Sequence, residues 1–136
     1  MKRRKAREYA LQMLFQIDFT GGAYDEKMIK EFWSDKNEHE NVREFATQLL
    51  RGTLENLERI DEMIGMYTEN WALKRMATVD RNILRFAAYE ILYRRDIPSA
   101  VTINEALEIA KKYSSMESAS FLNGVLDRLA KEAGRA

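Results

Sequence analysis

Apolar residues recur at intervals of three and four along most of the chain, and no segment of useful length alternates apolar and polar residues. The first spacing places side chains on one face of an α-helix, whereas alternation indicates a β-strand. Proline occurs once and glycine six times, so residues that interrupt helices are few. The pattern predicts an all-α fold without a β-sheet, a compact bundle of about seven helices in which residues 1–136 form one domain.

The predicted helices follow the limits of these apolar stripes. We expect helices over residues 3–20, 25–34, 40–68, 78–95 and 102–113, and a last helix that begins within residues 114–118 and includes residue 129. A short bridging segment begins at Asn70 and Trp71. Gly52 lies inside the 40–68 pattern, where it marks a kink or a break. Gly124 lies inside the last helix at a cost of about 1 kcal/mol relative to alanine, so we expect it to allow the close approach of another helix or another stretch of backbone.

Two local motifs make specific structural predictions. Thr102 and Glu105 have the spacing of a capping box, in which the two side chains accept hydrogen bonds from backbone amides at the start of a helix. Glu90 lies in the most apolar predicted helix. A buried carboxylate needs a partner, so we expect Glu90 to accept hydrogen bonds from a nearby arginine or from backbone amides rather than to act in catalysis.

The composition excludes several classes of chemistry. The chain has no cysteine and one histidine, His39, which lies in a polar connector. A histidine- or thiolate-based metal site is therefore not expected, and the glycine-rich loops that bind nucleotide phosphates are not present. No apolar run approaches the ~18 residues of a membrane span. We expect a cytoplasmic protein that is not an enzyme and uses no metal or other cofactor.

Positive charge is concentrated at the start of the first predicted helix. The chain has 22 Lys and Arg against 22 Asp and Glu, yet five of its first seven residues are basic and none is acidic. The N-terminal end of a helix carries partial positive charge, so exposed cations there cost about 0.3–1 kcal/mol each. A sequence selected for stability alone favours Asp or Glu in that turn, which indicates that residues 2–7 bind an anion.

The arginines of this segment also share a direction. At ~100° per residue, Arg3, Arg4 and Arg7 lie along one edge of the apolar stripe. Phe15 lies on the same flank two turns further along, whereas Lys5 points elsewhere. Guanidinium groups bind phosphates and stack on bases, as aromatic rings do when a single strand is bound. The alternative is a frayed terminus that adds only solubility; we favour nucleic-acid binding because the basic run leads directly into an amphipathic helix.

Four longer segments, which follow each other along the chain, together resemble those of a known protein family. They are R-x-x-x-R-E-x-A-L-Q-x-L-F from residue 3, NWALKRMATVDRNILRFAAYEILY from residue 70, IPSAVTINEALEIAKKY from residue 97 and S-x-x-F-L-N-G-V-L-D-R-L from residue 118. Together they resemble the NusB family of transcription antitermination factors. The resemblance extends over nearly the whole chain, which makes it specific in a way that an arginine-rich start alone is not.

The resemblance implies a function as well as a NusB-like fold. It implies a helical bundle that binds the boxA element of single-stranded RNA together with the ribosomal protein NusE. That pair joins the RNA polymerase antitermination complex and suppresses premature termination, notably on ribosomal RNA operons. Members of the family include monomers and homodimers, and dimerisation can cover the RNA surface, so the sequence leaves the oligomeric state open.

Carried over by position, the resemblance also implies site residues. Those implied to bind RNA are Lys2, Arg3, Arg4, Arg7, Phe15, Lys112 and Tyr113. Those implied to bind NusE are Asp80, Arg81 and Arg85, for which an exposed stripe of ion pairs is an equally good interpretation. Family members often have glycine after the aromatic residue of the second RNA-contacting region, where this chain has Ser114.

Three other functions are compatible with parts of this pattern. The first is a helical protein–protein adaptor whose basic terminus has no RNA site. The second is the RNA-binding domain of an RNA cytosine methyltransferase, since such enzymes can carry a NusB-like domain; this chain contains no catalytic cysteine. The third is DNA binding by a helix-turn-helix, which requires a second short helix with a basic face, and the sequence shows no such helix.

Overall fold

The computed structural model describes residues 2–68 and 72–134, apart from the side chains of Lys2 and Ala72. Over these residues the chain forms eight α-helices and no strand, which confirms the predicted fold class. The helices are α1 (Lys2–Thr20), α2 (Glu26–Ser34), α3 (Glu40–Glu55), α4 (Leu57–Met66), α5 (Ala72–Arg75), α6 (Thr78–Tyr93), α7 (Ser99–Tyr113) and α8 (Met116–Glu132). Asn70 and Trp71, where the bridging segment was predicted to begin, lie outside the described residues.

The long helical pattern over residues 40–68 is interrupted at Asn56 and not at Gly52. Asn56 separates α3 from α4, and its backbone and side-chain amides both donate to the Gly52 carbonyl, at 3.2 and 2.8 Å. Gly52 itself stays helical. A Cβ atom at this position would overlap the Tyr89 ring, so the glycine allows α6 to pack closely against α3. The additional break accounts for eight helices where about seven were predicted.

Helix α6 forms the centre of the bundle. It packs against α1, α3, α4, α7 and α8. Its buried residues include Ile83, Leu84, Phe86, Ala87 and Ile91, which surround most of the helix. A helix that is apolar on nearly all sides must be enclosed by others, so the central position of α6 follows directly from its sequence. No helix in the described part of the chain is both long enough and apolar enough to span a membrane.

Helix α7 begins three residues before the predicted capping box. Its first residue is Ser99, directly after Pro98, whose φ of −58° already suits a helix. Thr102 is therefore inside the helix and fully buried, and its hydroxyl donates to Glu90 Oε1 at 2.7 Å. Glu105 accepts from Arg4 rather than from a backbone amide. The capping-box prediction is wrong because both side chains bind partners from other helices.

Helix α8 begins where the sequence predicted. Ser115 is its N-cap residue, and the Ser115 hydroxyl oxygen accepts from the Ser118 amide at 3.0 Å. Gly124 is helical, as expected, but it is exposed, and no described atom of another segment lies within 4 Å of the place a Cβ would occupy. The predicted close approach of a second helix or another stretch of backbone at Gly124 is therefore wrong for the described part of the chain.

Candidate nucleic-acid interface

Helix α1 and the C-terminal end of α7 lie side by side. Glu8 of α1 connects them, because its Oε1 accepts hydrogen bonds from Lys112 Nζ at 2.8 Å and from the Tyr113 hydroxyl at 2.6 Å. Burial acts to raise the pKa of the Glu8 carboxyl, but these two hydrogen bonds and the charge of Lys112 hold it below its ordinary value. The two segments expected to contact RNA are thus neighbours in the structure, although 104 residues separate Glu8 from Lys112.

Several exposed or partly exposed side chains either contact Glu8 or lie on the same face of α1. With Glu8 they form what we call the α1–α7 surface, whose residues are Arg4, Glu8, Phe15, Phe19, Lys112 and Tyr113. On α1 the four residues of this set lie on one face, since they follow each other at intervals of four and seven. The surface combines cations with aromatic rings, which is the combination that single-stranded nucleic acids require.

Arg4 is the arginine of the N-terminal segment that this surface includes. Its Nε and Nη2 donate to Glu105 at 2.9 and 2.6 Å, a bidentate pair between α1 and α7. The hydrogen bond from Arg4 lowers the pKa of the Glu105 carboxyl. The Arg4 side chain nevertheless remains 42% exposed, so it stays accessible on the same face of α1 as Glu8.

Arg7 does not belong to the surface. Its side chain is 1% exposed, and its Nε and Nη2 donate to Glu90 at 2.7 and 2.8 Å in the centre of the bundle. The prediction that Arg7 contacts RNA is therefore corrected, since a side chain with almost no exposed area offers nothing to a ligand. The expectation for Glu90 is confirmed: it is completely buried and accepts from an arginine.

The other basic residues at the N-terminus point in different directions. The guanidinium carbon of Arg3 lies 4.4 Å from the centre of the Phe45 ring of α3, a cation–π contact on an exposed side chain. Lys5 binds Glu38 at 2.7 Å on the opposite side of α1 from Arg7, as the helical wheel predicted. The side chain of Lys2 lies outside the described part of the structure.

These contacts change the interpretation of the basic N-terminus. Arg4, Lys5 and Arg7 each bind a carboxylate of the same chain. The unfavourable interaction with the helix dipole is therefore already offset within the molecule, and an external anion is not needed to explain it. The case for an RNA site rests instead on exposed groups that the tertiary structure brings together.

Phe15 and Phe19 form an exposed aromatic pair on α1. Their ring centres are 5.7 Å apart and their planes differ by 7°, so the rings are stacked. Phe15 was predicted from the sequence, whereas Phe19 was not. Its four-residue spacing from Phe15 was the signal that could have identified it, because residues four apart lie on the same face of a helix.

The turn between α7 and α8 does not use the left-handed conformation that favours glycine. Ser114, the residue after α7, has a φ of −132°. Its hydroxyl donates to the Ser118 hydroxyl at 3.0 Å, and Ser118 in turn donates to Asp80 Oδ2 at 2.9 Å. The serine found here in place of the family's glycine is thus compatible with a well-connected turn that leaves Tyr113 exposed beside Glu8.

The three residues expected to bind NusE do not form an exposed stripe of ion pairs. Asp80 is buried next to Ser118, Arg81 Nε donates to Asp18 at 2.8 Å, and Arg85 makes a bidentate pair with Asp61 at 2.9 and 2.8 Å. Their side chains instead connect the first turns of α6 to α1, α4 and α8. The alternative interpretation, an ordinary exposed stripe, is therefore wrong.

His39 and the acidic residues show no metal centre. His39 is exposed directly before α3, and its side chain makes no capping hydrogen bond. Over residues 2–68 and 72–134, no group of three or more histidine, aspartate or glutamate side chains is arranged to hold a metal ion.

Comparison with known proteins identifies the family. The NusB family model matches residues 4–131. The chain belongs to the NusB family. Its relatives include the transcription antitermination proteins NusB of Thermodesulfovibrio yellowstonii and Desulfitobacterium hafniense, both 51% identical. The first match covers 97% of this chain and 93% of the relative, and the second covers 99% and 92%.

Solved structures of the family have the same fold. T. maritima NusB is 45% identical over 96% of this chain and 91% of its own, with a TM-score of 0.86. A complex described as antitermination factors NusB and NusE with dsRNA contains a chain that is 25% identical, with a TM-score of 0.87 and coverage of 96% and 97%. The helical bundle described above is therefore the NusB fold.

Proposed function

We propose that this protein is a transcription antitermination factor that binds RNA through the α1–α7 surface. Family membership supports the role in transcription antitermination. The observation that carries the RNA site is the contact of Glu8 with Lys112 and Tyr113. That contact places the cations of two distant segments next to exposed rings. Phosphates would bind the cations, which predicts a strong dependence on salt, and unpaired bases would stack on the rings.

The RNA that fits this surface best is a single strand, and we propose that it is the boxA element. Stacking on Phe15, Phe19 and Tyr113 requires bases that are not held in a duplex. The solved complex of a relative contains dsRNA, so the form of RNA that this chain prefers needs a direct comparison. Titrating the protein with one RNA sequence, first as a single strand and then as a duplex, provides this comparison.

We further propose that the ribosomal protein NusE binds beside the first turns of α6, and that the pair joins RNA polymerase in the antitermination complex on ribosomal RNA operons. A relative has been solved together with NusE. Because Asp80, Arg81 and Arg85 are bound to residues of this chain, they would shape that surface more than they would offer unpaired charges to it. On this proposal the protein acts by binding alone, without catalysis, in the cytoplasm where RNA polymerase works.

The proposal is tested by measuring RNA affinity with fluorescence anisotropy. A boxA RNA, a scrambled single strand and a boxA duplex are each titrated with the protein, with and without NusE. We expect the single-stranded boxA RNA to bind most tightly and NusE to strengthen that binding. Arg4→Ala with Lys112→Ala should weaken binding at least about tenfold, since two phosphate contacts are lost.

A matched variant controls for net charge. Lys27→Ala with Lys131→Ala removes the same charge from exposed positions outside the α1–α7 surface, and it should change the affinity much less. Equal losses for the two double variants, or no loss for either, would overturn the site. Binding of NusE without any binding of RNA would support the protein–protein adaptor instead, which the internal pairing of Arg4, Lys5 and Arg7 favours.

A further inference from the structure

Glu8 places a negative charge at the centre of the α1–α7 surface. Lys112 and Tyr113 contact it directly, and Arg4 and Phe15 lie on the same face of α1. Its side chain is 15% exposed, so it contributes to the accessible area of this surface. A carboxylate in this position repels phosphate. It therefore weakens the attraction that the neighbouring cations provide for any RNA backbone.

The chain contains a matched control for this position, because the same arrangement occurs away from the α1–α7 surface. Glu38 Oε2 accepts from Lys5 Nζ at 2.7 Å and from the Tyr9 hydroxyl at 2.5 Å. Its side chain is 13% exposed, close to the value for Glu8. Glu38 connects the segment before α3 to the opposite side of α1 and lies outside the α1–α7 surface. The two glutamates thus have matching partners and matching exposure, but only Glu8 faces the proposed RNA.

We propose that Glu8 makes the RNA surface selective for bases that carry an amino group. This inference rests on the proposed function. The hydrogen bonds from Lys112 and Tyr113 both use Oε1, which leaves Oε2 to accept from a base. Cytosine N4, adenine N6 and guanine N2 are donors of this kind. Uracil has no amino group, and its single N–H donor on that edge lies between two carbonyl oxygens that the carboxylate repels.

The selectivity would come from a repulsive element as much as from an attractive one. Bringing phosphates close to Glu8 is unfavourable for every RNA, but a base with an amino group at this point offsets the loss through a hydrogen bond to a charged acceptor. The expected result is a lower affinity for RNA in general and a larger difference between sequences. Removal of the charge should reverse both effects.

The test compares Glu8→Gln with Glu38→Gln, two variants that make the same change in charge at matching sites. Each is titrated with two single strands of about twelve nucleotides, one of alternating adenine and cytosine and one of uridine only, at constant salt. We expect Glu8→Gln to bind the uridine strand more tightly than the wild type does. The preference for the adenine–cytosine strand should fall at least about fivefold, whereas Glu38→Gln should retain the wild-type preference.

A second variant separates the role of the charge from that of the fold. Glu8→Asp keeps a carboxylate on a shorter side chain, and it should retain most of the preference that Glu8→Gln loses. Equal preferences in wild type, Glu8→Gln and Glu38→Gln would overturn the selectivity while leaving the RNA site intact, provided that Arg4→Ala with Lys112→Ala still weakens binding. If that double variant binds RNA as the wild type does, the proposed function itself fails.

Discussion

Arg7 and Glu90 form a bidentate ion pair inside the helical bundle, with two hydrogen bonds of 2.7 and 2.8 Å between side chains that are almost completely buried. The Thr102 hydroxyl donates to the same carboxylate, so α1, α6 and α7 meet at one buried charge. Removing one member of such a pair leaves the other charged and without compensation in a medium that solvates it poorly.

Arg7→Met should therefore lower the free energy of unfolding by about 3–5 kcal/mol. Adding Glu90→Leu should restore at least half of this loss, because no unpaired charge then remains and both side chains are apolar. Urea denaturation followed by circular dichroism measures both values. A loss below about 1 kcal/mol for the single variant would show that the pair contributes little.

Two glycines in helices should respond to alanine in opposite directions. At Gly52 the new methyl group would overlap the Tyr89 ring, so we expect Gly52→Ala to destabilise the fold by about 1–3 kcal/mol through overpacking. At Gly124 the space is open, so alanine should stabilise by about 1 kcal/mol through its higher helix propensity. Thermal or urea unfolding of both variants tests the prediction, and stabilisation by both would contradict the contact with Tyr89.

Lys112 should contribute to the salt dependence of RNA binding, whereas Lys131 should not. The two lysines are 61% and 63% exposed, and each is paired with one carboxylate, Glu8 or Asp127. If Lys112 contacts a phosphate, Lys112→Ala should reduce the slope of log affinity against log salt by about 0.7, the value for one contact with a single strand. Titrations at several salt concentrations give the slopes, and equal slopes for Lys112→Ala and Lys131→Ala would remove Lys112 from the site.

Asp18 should make the stability of the fold depend on pH. Burial acts to raise the pKa of its carboxyl, but hydrogen bonds from Arg81 and Asn82 and the charge of Arg85 hold it below the ordinary value of 3.8. Since the pKa is lower in the folded state than in the unfolded state, the ionised carboxylate stabilises the fold above pH 3.8. That contribution is lost as the pH falls through the lowered value.

Asp18→Asn removes this pH-dependent contribution. The difference in the free energy of unfolding between wild type and variant should be constant near neutral pH and should narrow as the pH falls below about 4. Urea denaturation at about pH 7, 5 and 3 measures the difference. A difference that does not change with pH would show that the ion pairs of Asp18 contribute nothing to stability.

Much of the fold could be predicted because the signals for it are local. The spacing of apolar residues indicates a helix wherever one face is buried, and it correctly indicated α1, α2, α6 and α8. The break at Asn56 and the early start of α7 could not be predicted. The Asn56 side chain donates to the Gly52 carbonyl and so competes with the backbone hydrogen bonds of a continuous helix. The Thr102 hydroxyl donates to Glu90 of another helix instead of accepting from a backbone amide at the start of α7. The assignment of residues 1–136 to a single domain stays a prediction.

The sequence by itself determined the family, the all-helical fold, the central position of α6 and the need of Glu90 for hydrogen-bond donors, because each depends on residue type and short-range spacing. Only the tertiary structure decided which cations face solvent. Arg4 and Arg7 are three residues apart, yet one is partly exposed against Glu105 and the other is buried against Glu90. Their partners lie 101 and 83 positions away, and ion pairs of that kind depend on how helices pack, which no local pattern of residues records.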